Sequence, residues 1–193
     1  MSIKLYSSSL LYIIPLVIVI IFGILLSNSY EFSGSDSTSI TQPPGGNNGP
    51  AEPTAFPQTA TISFIPAAIP LSGNGSTEIT LDPGGAEVTA IQVEITYDES
   101  KISIDSFTPG SYFQNPTIDT NQISSGKITY NVAASLTGSL PSSAGMLATI
   151  NFSKKSGATE STTLTFTGDT AVTAKGSSGQ SILKYRGIAT INL

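Results

Sequence analysis

With neither histidine nor cysteine in 193 residues, the acid–base chemistry of this chain would have to rest on its thirteen carboxylates. Thiolate nucleophiles, disulfides, structural zinc sites and the usual imidazole base are all removed. A glycosidase can work with carboxylates alone, but it holds two of them at a set distance across the scissile bond. Here they fall mainly in turns, Leu81-Asp82-Pro83-Gly84-Gly85 and Asp98-Glu99-Ser100, where an Asp side chain serves by accepting from nearby backbone N–H groups. No catalytic residue and no cofactor is expected. A calcium site needs several converging oxygens, and neither a D-x-D-x-D run nor an acidic cluster occurs, so no metal ligand is assigned. The net charge is −5, the acids are scattered and no basic stripe is present, which argues against nucleic acid as a partner. Asn74-Gly75-Ser76 and Asn151-Phe152-Ser153 match the asparagine-glycosylation acceptor, a pattern short enough to arise by chance, and are given no role.

Binding chemistry is left. A flat polysaccharide-binding face uses exposed aromatic rings, which offer large apolar area at small entropic cost. The chain has no tryptophan. Tyr97 and Tyr130 fall on the predicted core side of their strands, which leaves Tyr112, Tyr185 and Phe113 as the candidate exposed rings. Direct sugar binding is therefore only a secondary expectation.

The elements that would position a binding face are strands. Charged residues are only 11% of the chain, and Ser, Thr, Gly, Asn and Pro are abundant, a mixture suited to short strands joined by turns. Residues 59–193 are expected to form one domain, about nine strands in a sandwich of two antiparallel sheets. The clearest strand runs from Val88 to Tyr97, where Ile91, Val93, Ile95 and Tyr97 point one way and Ala90, Gln92, Glu94 and Thr96 the other. In the strand from Lys127, Ile128, Tyr130 and Val132 alternate with Thr129, Asn131 and Ala133. In the strand from Met146, Ala148, Ile150 and Phe152 alternate with Leu147, Thr149 and Asn151. Further strands are expected at residues 60–65, 77–81, 102–107, 161–167, 170–174 and 182–193, the last broken at Gly187.

The ordered segments AIQVEITYDESKISI, SSGKITYNVA, AGMLATINFSKKSG and YRGIATINL resemble the cohesin domains of cellulosome scaffolds, which share a jelly-roll sandwich with carbohydrate-binding module families 2 and 3. The resemblance covers most of residues 60–193. It implies a non-catalytic module whose partners are calcium-binding dockerin-like modules on secreted enzymes. It also implies a docking face, which by position comprises Ala90, Gln92 and Glu94, then Thr129 and Asn131, with Thr149 and Asn151 alongside. A carbohydrate-binding module or a structural adhesion protein is the alternative.

The remaining expectations concern the N-terminal part. Leu10 to Leu26 is a run of seventeen uncharged residues, which as a helix would cover roughly 26 Å of a membrane core about 30 Å thick. Lys4 precedes the run and Glu31 and Asp36 follow it, which places the N-terminus in the cytoplasm and the rest outside. A cleaved signal peptide is the competing reading, with Ser27-Asn28-Ser29 as a weak site, and the length of the run favours a retained anchor over residues 1–26. Residues 27–58, rich in Ser, Gly and Pro, read as a disordered tether with an r.m.s. reach of roughly 30 Å. After alkaline carbonate extraction the full-length chain should stay in the membrane pellet, and a soluble form beginning near Tyr30 would overturn the anchor.

Overall fold

The computed structural model describes residues 56–135 and 137–193. The expected membrane span and all but the last three residues of the expected tether lie outside the described residues. Within them the chain is all-β, with twelve strands: β1 (Ala60–Ile65), β2 (Ala68–Pro70), β3 (Asn74–Asp82), β4 (Val88–Thr96), β5 (Ile102–Pro109), β6 (Ile118–Ser124), β7 (Lys127–Ala133), β8 (Gly145–Lys154), β9 (Thr162–Phe166), β10 (Ala171–Ala174), β11 (Leu183–Arg186) and β12 (Ile188–Asn192). They form two sheets. One has the order β11-β1-β3-β8-β5, and the other β2-β12-β9-β4-β7-β6 with β10 added along β4.

Period-two burial explains the elements. In β4 every second residue from Ile91 to Ile95 is buried and the residues between are not, and β7 repeats the pattern with Ile128, Tyr130 and Val132 inward. From the opposite layer β8 contributes Ala148, Ile150 and Phe152, all inaccessible to solvent. Phe64 stacks on Phe166 at 4.3 Å and Phe107 tilts against Tyr130 at 5.0 Å, so ring pairs join the layers. Among the described residues every fully buried apolar residue lies between Ala60 and Ile191. This region therefore carries a complete core of its own.

Four features depart from the sequence expectation. Twelve strands replace nine: β2 and β6 are added, having given no apolar alternation, since β2 has three residues and ends in Pro70 and every residue of β6 is exposed, and the expected last strand counts as two, β11 and β12. The sheets are not wholly antiparallel, since β1 pairs with β11 and β2 with β12 in parallel. Leu147 turns inward and is 1% exposed, because a register shift between Ile79 and Thr80 skips it in the β3–β8 ladder. The folded region starts before residue 59, as Phe56 packs on the core and its N–H donates to Gln180 Oε1 at 3.2 Å. The break at Gly187 is present, and the reason is steric. A Cβ there would stand 3.1 Å from Ser63 Cα, and the Gly187 N–H donates to Ile62 O at 2.8 Å, so the chain leaves β11 hard against β1 and enters β12 in the other sheet.

The three rings expected outside separate as well. Tyr185 is exposed, but Phe113 is buried and Tyr112 half-buried, the two meeting edge to face at 5.2 Å. Their burial comes from the loop that follows β5 folding over the sheet end, where the Tyr112 ring lies against Gly145. One exposed ring makes no stacking platform. The Tyr112 hydroxyl is buried without a hydrogen-bond partner among the described residues, and burial, with the Asp82 charge second, pushes it from the usual 10.0 up to about 12. An acid held neutral in the fold ionises first in the unfolded chain, so its contribution is intact below pH 10 and is lost as pH rises to about 12. Tyr112→Phe should therefore leave the urea midpoint at pH 7 unchanged or raised, since no bond is lost with the hydroxyl, and should make the decline above pH 10 shallower. A clear loss of stability at pH 7 would mean that the hydroxyl has a partner in solution.

Candidate functional site

The centre of the seven-stranded sheet is a two-strand ladder whose outer residues pair in register. Gln92 lies opposite Asn131, Glu94 opposite Thr129 and Ala90 opposite Ala133. The five positions expected on β4 and β7, Ala90, Gln92, Glu94, Thr129 and Asn131, thus share one outward face. Thr149 and Asn151 do not belong to it. They sit on β8 in the other sheet, where Thr149 pairs with Glu78 and Thr108, and Asn151 Nδ2 donates to Ser106 Oγ at 2.9 Å. The physical reason is that β7 and β8 both begin after a Gly or at one and alternate identically. Alternation fixes which side of a strand is wet but not which sheet the strand joins.

Other residues complete the face. The far edge of β4 is shared by β9, which pairs at Ile95 and Thr96, and by β10, which pairs from Val88 to Gln92. Between them the chain makes an excursion, Thr167-Gly168-Asp169-Thr170, directly beside Glu94. Glu94 O accepts from Thr167 N–H at 2.9 Å and from Thr170 Oγ1 at 3.0 Å, while Glu94 N–H donates to Thr170 Oγ1 at 3.1 Å. Gln92 Nε2 donates to Asp169 O at 3.2 Å, and Arg186 Nη2 holds the excursion from its other side through Thr170 O at 2.7 Å and Gly168 O at 3.3 Å. The Glu94 carboxylate is in turn pinned between Lys127 Nζ at 3.1 Å and Thr167 Oγ1 at 3.2 Å.

Electrostatically the face is near neutral. The strands of this sheet contain only three charged residues, Glu94, Lys127 and Asp119. The first two pair with each other, and Asp119 lies on the core-ward side of edge strand β6. Thr96, Thr163, Thr165, Thr173 and Thr190 fill many of the remaining outward positions, and Ile188, 54% exposed, and Ile118 on edge strand β6 are the large apolar groups beside them. Sequence reasoning missed Lys127, Thr165 and Thr173 because strand pairing is not written in local alternation. At one end of the face an open groove of about 450 Å³ runs between β4 and β9, lined by Thr96, Tyr97, Asp98, Ser161, Thr162, Thr163 and Thr165.

The carboxylate turns are spent on structure. Asp98 Oδ1 accepts from Ser100 Oγ at 2.6 Å and from Ser100 N–H at 2.9 Å, bonds that hold it below the usual carboxylate range. Asp82 Oδ1 accepts from Gly84 N–H at 2.9 Å. Tyr97 is half-buried, its hydroxyl donating to Ser124 O at 3.0 Å, and burial raises its pKa.

A family model described as Cohesin domain matches residues 76–184. The chain belongs to the cohesin family. The solution structure of the cohesin CaCohA2 from Clostridium acetobutylicum matches with a TM-score of 0.62 at 20% identity, over 71% of this chain and 92% of that one. A non-cellulosomal cohesin from the hyperthermophilic archaeon Archaeoglobus fulgidus gives 0.53 at 20% identity, covering 70% of this chain and 92% of its own. The OlpC cohesin of Clostridium thermocellum, solved in a type I cohesin–dockerin complex, gives 0.57 at 15% identity, covering 73% of this chain and 97% of its own. At these identities the likeness is one of fold. No curated protein sequence matches the chain.

In this cohesin the buried Thr170 hydroxyl joins the excursion to β4. Thr170→Val keeps the shape but leaves the Glu94 N–H unpaired, which should cost about 1–3 kcal/mol in urea unfolding. The Glu94 amide should also exchange faster with solvent. Unchanged stability and exchange would show that the contact does not hold the excursion.

Proposed function

We propose that this cohesin domain is a non-catalytic receptor that docks a dockerin-like protein module on the outer face of the seven-stranded sheet, centred on Gln92, Glu94, Thr129 and Asn131. The observation that carries the reading is membership of a family of non-catalytic binding modules, together with a fold shared with relatives solved in dockerin complexes. The geometry supports the choice of face. A ladder whose two charges pair with each other places no unpaired ion under a partner, and its amides and hydroxyls leave donors and acceptors for that partner. We further propose that the domain is displayed outside a membrane by an anchor at residues 10–26, on the strength of the uncharged run and the flanking charges.

The reading is tested with purified calcium-loaded dockerins against residues 56–193. Gln92→Lys with Asn131→Lys places two unpaired cations side by side across the ladder, and should weaken binding at least roughly tenfold, about 1.4 kcal/mol, while the domain stays folded with a modestly lowered melting temperature, since like charges then face each other and the Gln92–Asp169 bond is lost. Thr149→Lys with Asn151→Lys, on the opposite sheet, should leave affinity unaltered. Chelation with EDTA should abolish binding by removing the calcium on which the partner's fold depends. Equal sensitivity of the two sheets, or tight binding to cellulose with no dockerin bound, would overturn the proposal.

A further inference from the structure

Each sheet ends in two edge strands, and three of the four edges are blunted. β2 has three residues and a terminal proline. β11 has four and carries Lys184 and Arg186. β5 is broken by a register shift between Ile104 and Ser106 and ends in Pro109. These are the devices by which natural sheets prevent another strand from adding to them. β6 is the least protected: it has seven residues without proline or lysine, paired to β7 in unbroken register from Ile118↔Ala133 to Ser124↔Lys127, and Asp119 on its core-ward side is its one charge.

The hairpin fixes which backbone groups the free edge offers. The two-residue turn Ser125-Gly126 closes on Ser124↔Lys127, and in an antiparallel ladder alternate residues face alternate edges. Ser124, Gln122 and Thr120 therefore direct their N–H and C=O groups to β7, while Ile123, Asn121 and Asp119 direct theirs outward. No turn, loop or side chain among the described residues bonds those outward groups. They form a regular donor and acceptor row on a strand exposed at every position.

We propose that β6 adds antiparallel to β6 of a second copy of this chain, on a two-fold axis that passes between the two Asn121 residues. That register sets Asn121 opposite Asn121 and Asp119 opposite Ile123, so every outward N–H and C=O of the three residues finds its counterpart. On the outer face Thr120 meets Gln122 and Ile118 meets Ser124. Charge is compatible, because the only ionised group of the strand, Asp119, faces an isoleucine and stands about 13 Å along the ladder from its own copy, beyond the screening length at physiological salt. The result is one continuous sheet carrying two copies of the Gln92–Asn131 face on the same side. This inference does not depend on what that face binds.

Sedimentation velocity of residues 56–193, whose core is complete in itself, tests it. The weight-average mass should rise from one copy toward two between micromolar and millimolar concentration. Asn121→Pro removes an N–H that serves only the free edge, so it should keep the native circular dichroism and weaken dimerisation at least roughly tenfold. Asn121→Lys gives the same outcome without a proline, by setting like charges directly opposite each other. Ile123→Lys should instead tighten the dimer by facing Asp119 of the second copy. A wild-type domain that stays monomeric at millimolar concentration, or variants at Asn121 that dimerise as tightly as wild type, would overturn the proposal, and an Ile123→Lys variant that weakens the dimer would overturn the register.

Discussion

The backbone of Glu94 is where the seven-stranded sheet is held together. Its carbonyl takes hydrogen bonds from Thr167 N–H and Thr170 Oγ1, and its N–H returns one to the same hydroxyl. Without that junction β9 and β10 would be two short strands competing for one edge of β4. With it they act as a single edge with a four-residue step. The outward side chain of the same residue joins Lys127 on β7 to Thr167 beside β9. One residue thus ties three neighbouring segments through backbone and side chain together.

The two sheets are polarised in what they show to water. The five-stranded sheet includes Glu78, Asp82, Asp105, Lys154, Lys184 and Arg186 in its strands, so a partner pressed onto it would have to remove hydrated charges. The other sheet shows threonine hydroxyls, amides and one internally satisfied ion pair. A partner on that side gives up weakly held water and exchanges it for neutral hydrogen bonds. Such contacts are modest one by one and depend on alignment, which favours recognition by shape and register over long-range attraction.

Much of the fold was legible from alternation, and the failures have a common physical cause. β4, β7 and β8 bury one side completely, so Ile91-Val93-Ile95, Ile128-Tyr130-Val132 and Ala148-Ile150-Phe152 declare themselves in the sequence. β6 does not, because an edge strand that overhangs the core has no apolar side to display: Ile123 lies toward the core yet remains 39% exposed. Five of the seven expected face residues lie together because β4 and β7 pair directly. Thr149 and Asn151 were misplaced because their strand reads the same in either sheet, and only long-range pairing with Glu78 and Ser76 decides between the two. The excursion at Thr167–Thr170 was equally hidden, since its partners on β4 lie more than seventy residues away in the chain.

The parallel pairings bring the ends of the domain together in an unusual way. The first two strands lie beside the last two, β1 along β11 and β2 along β12, each pair running in the same direction. A force drawing the two ends of the domain apart pulls such strands lengthwise past one another. Their interstrand bonds lie across the direction of sliding, so the bonds of a ladder are loaded together and none opens as the first tooth of a zipper. Strand β3 closes over β1 on its other side and β9 over β12, so neither ladder can peel away freely. The fold resists tension best along the line joining its own two ends.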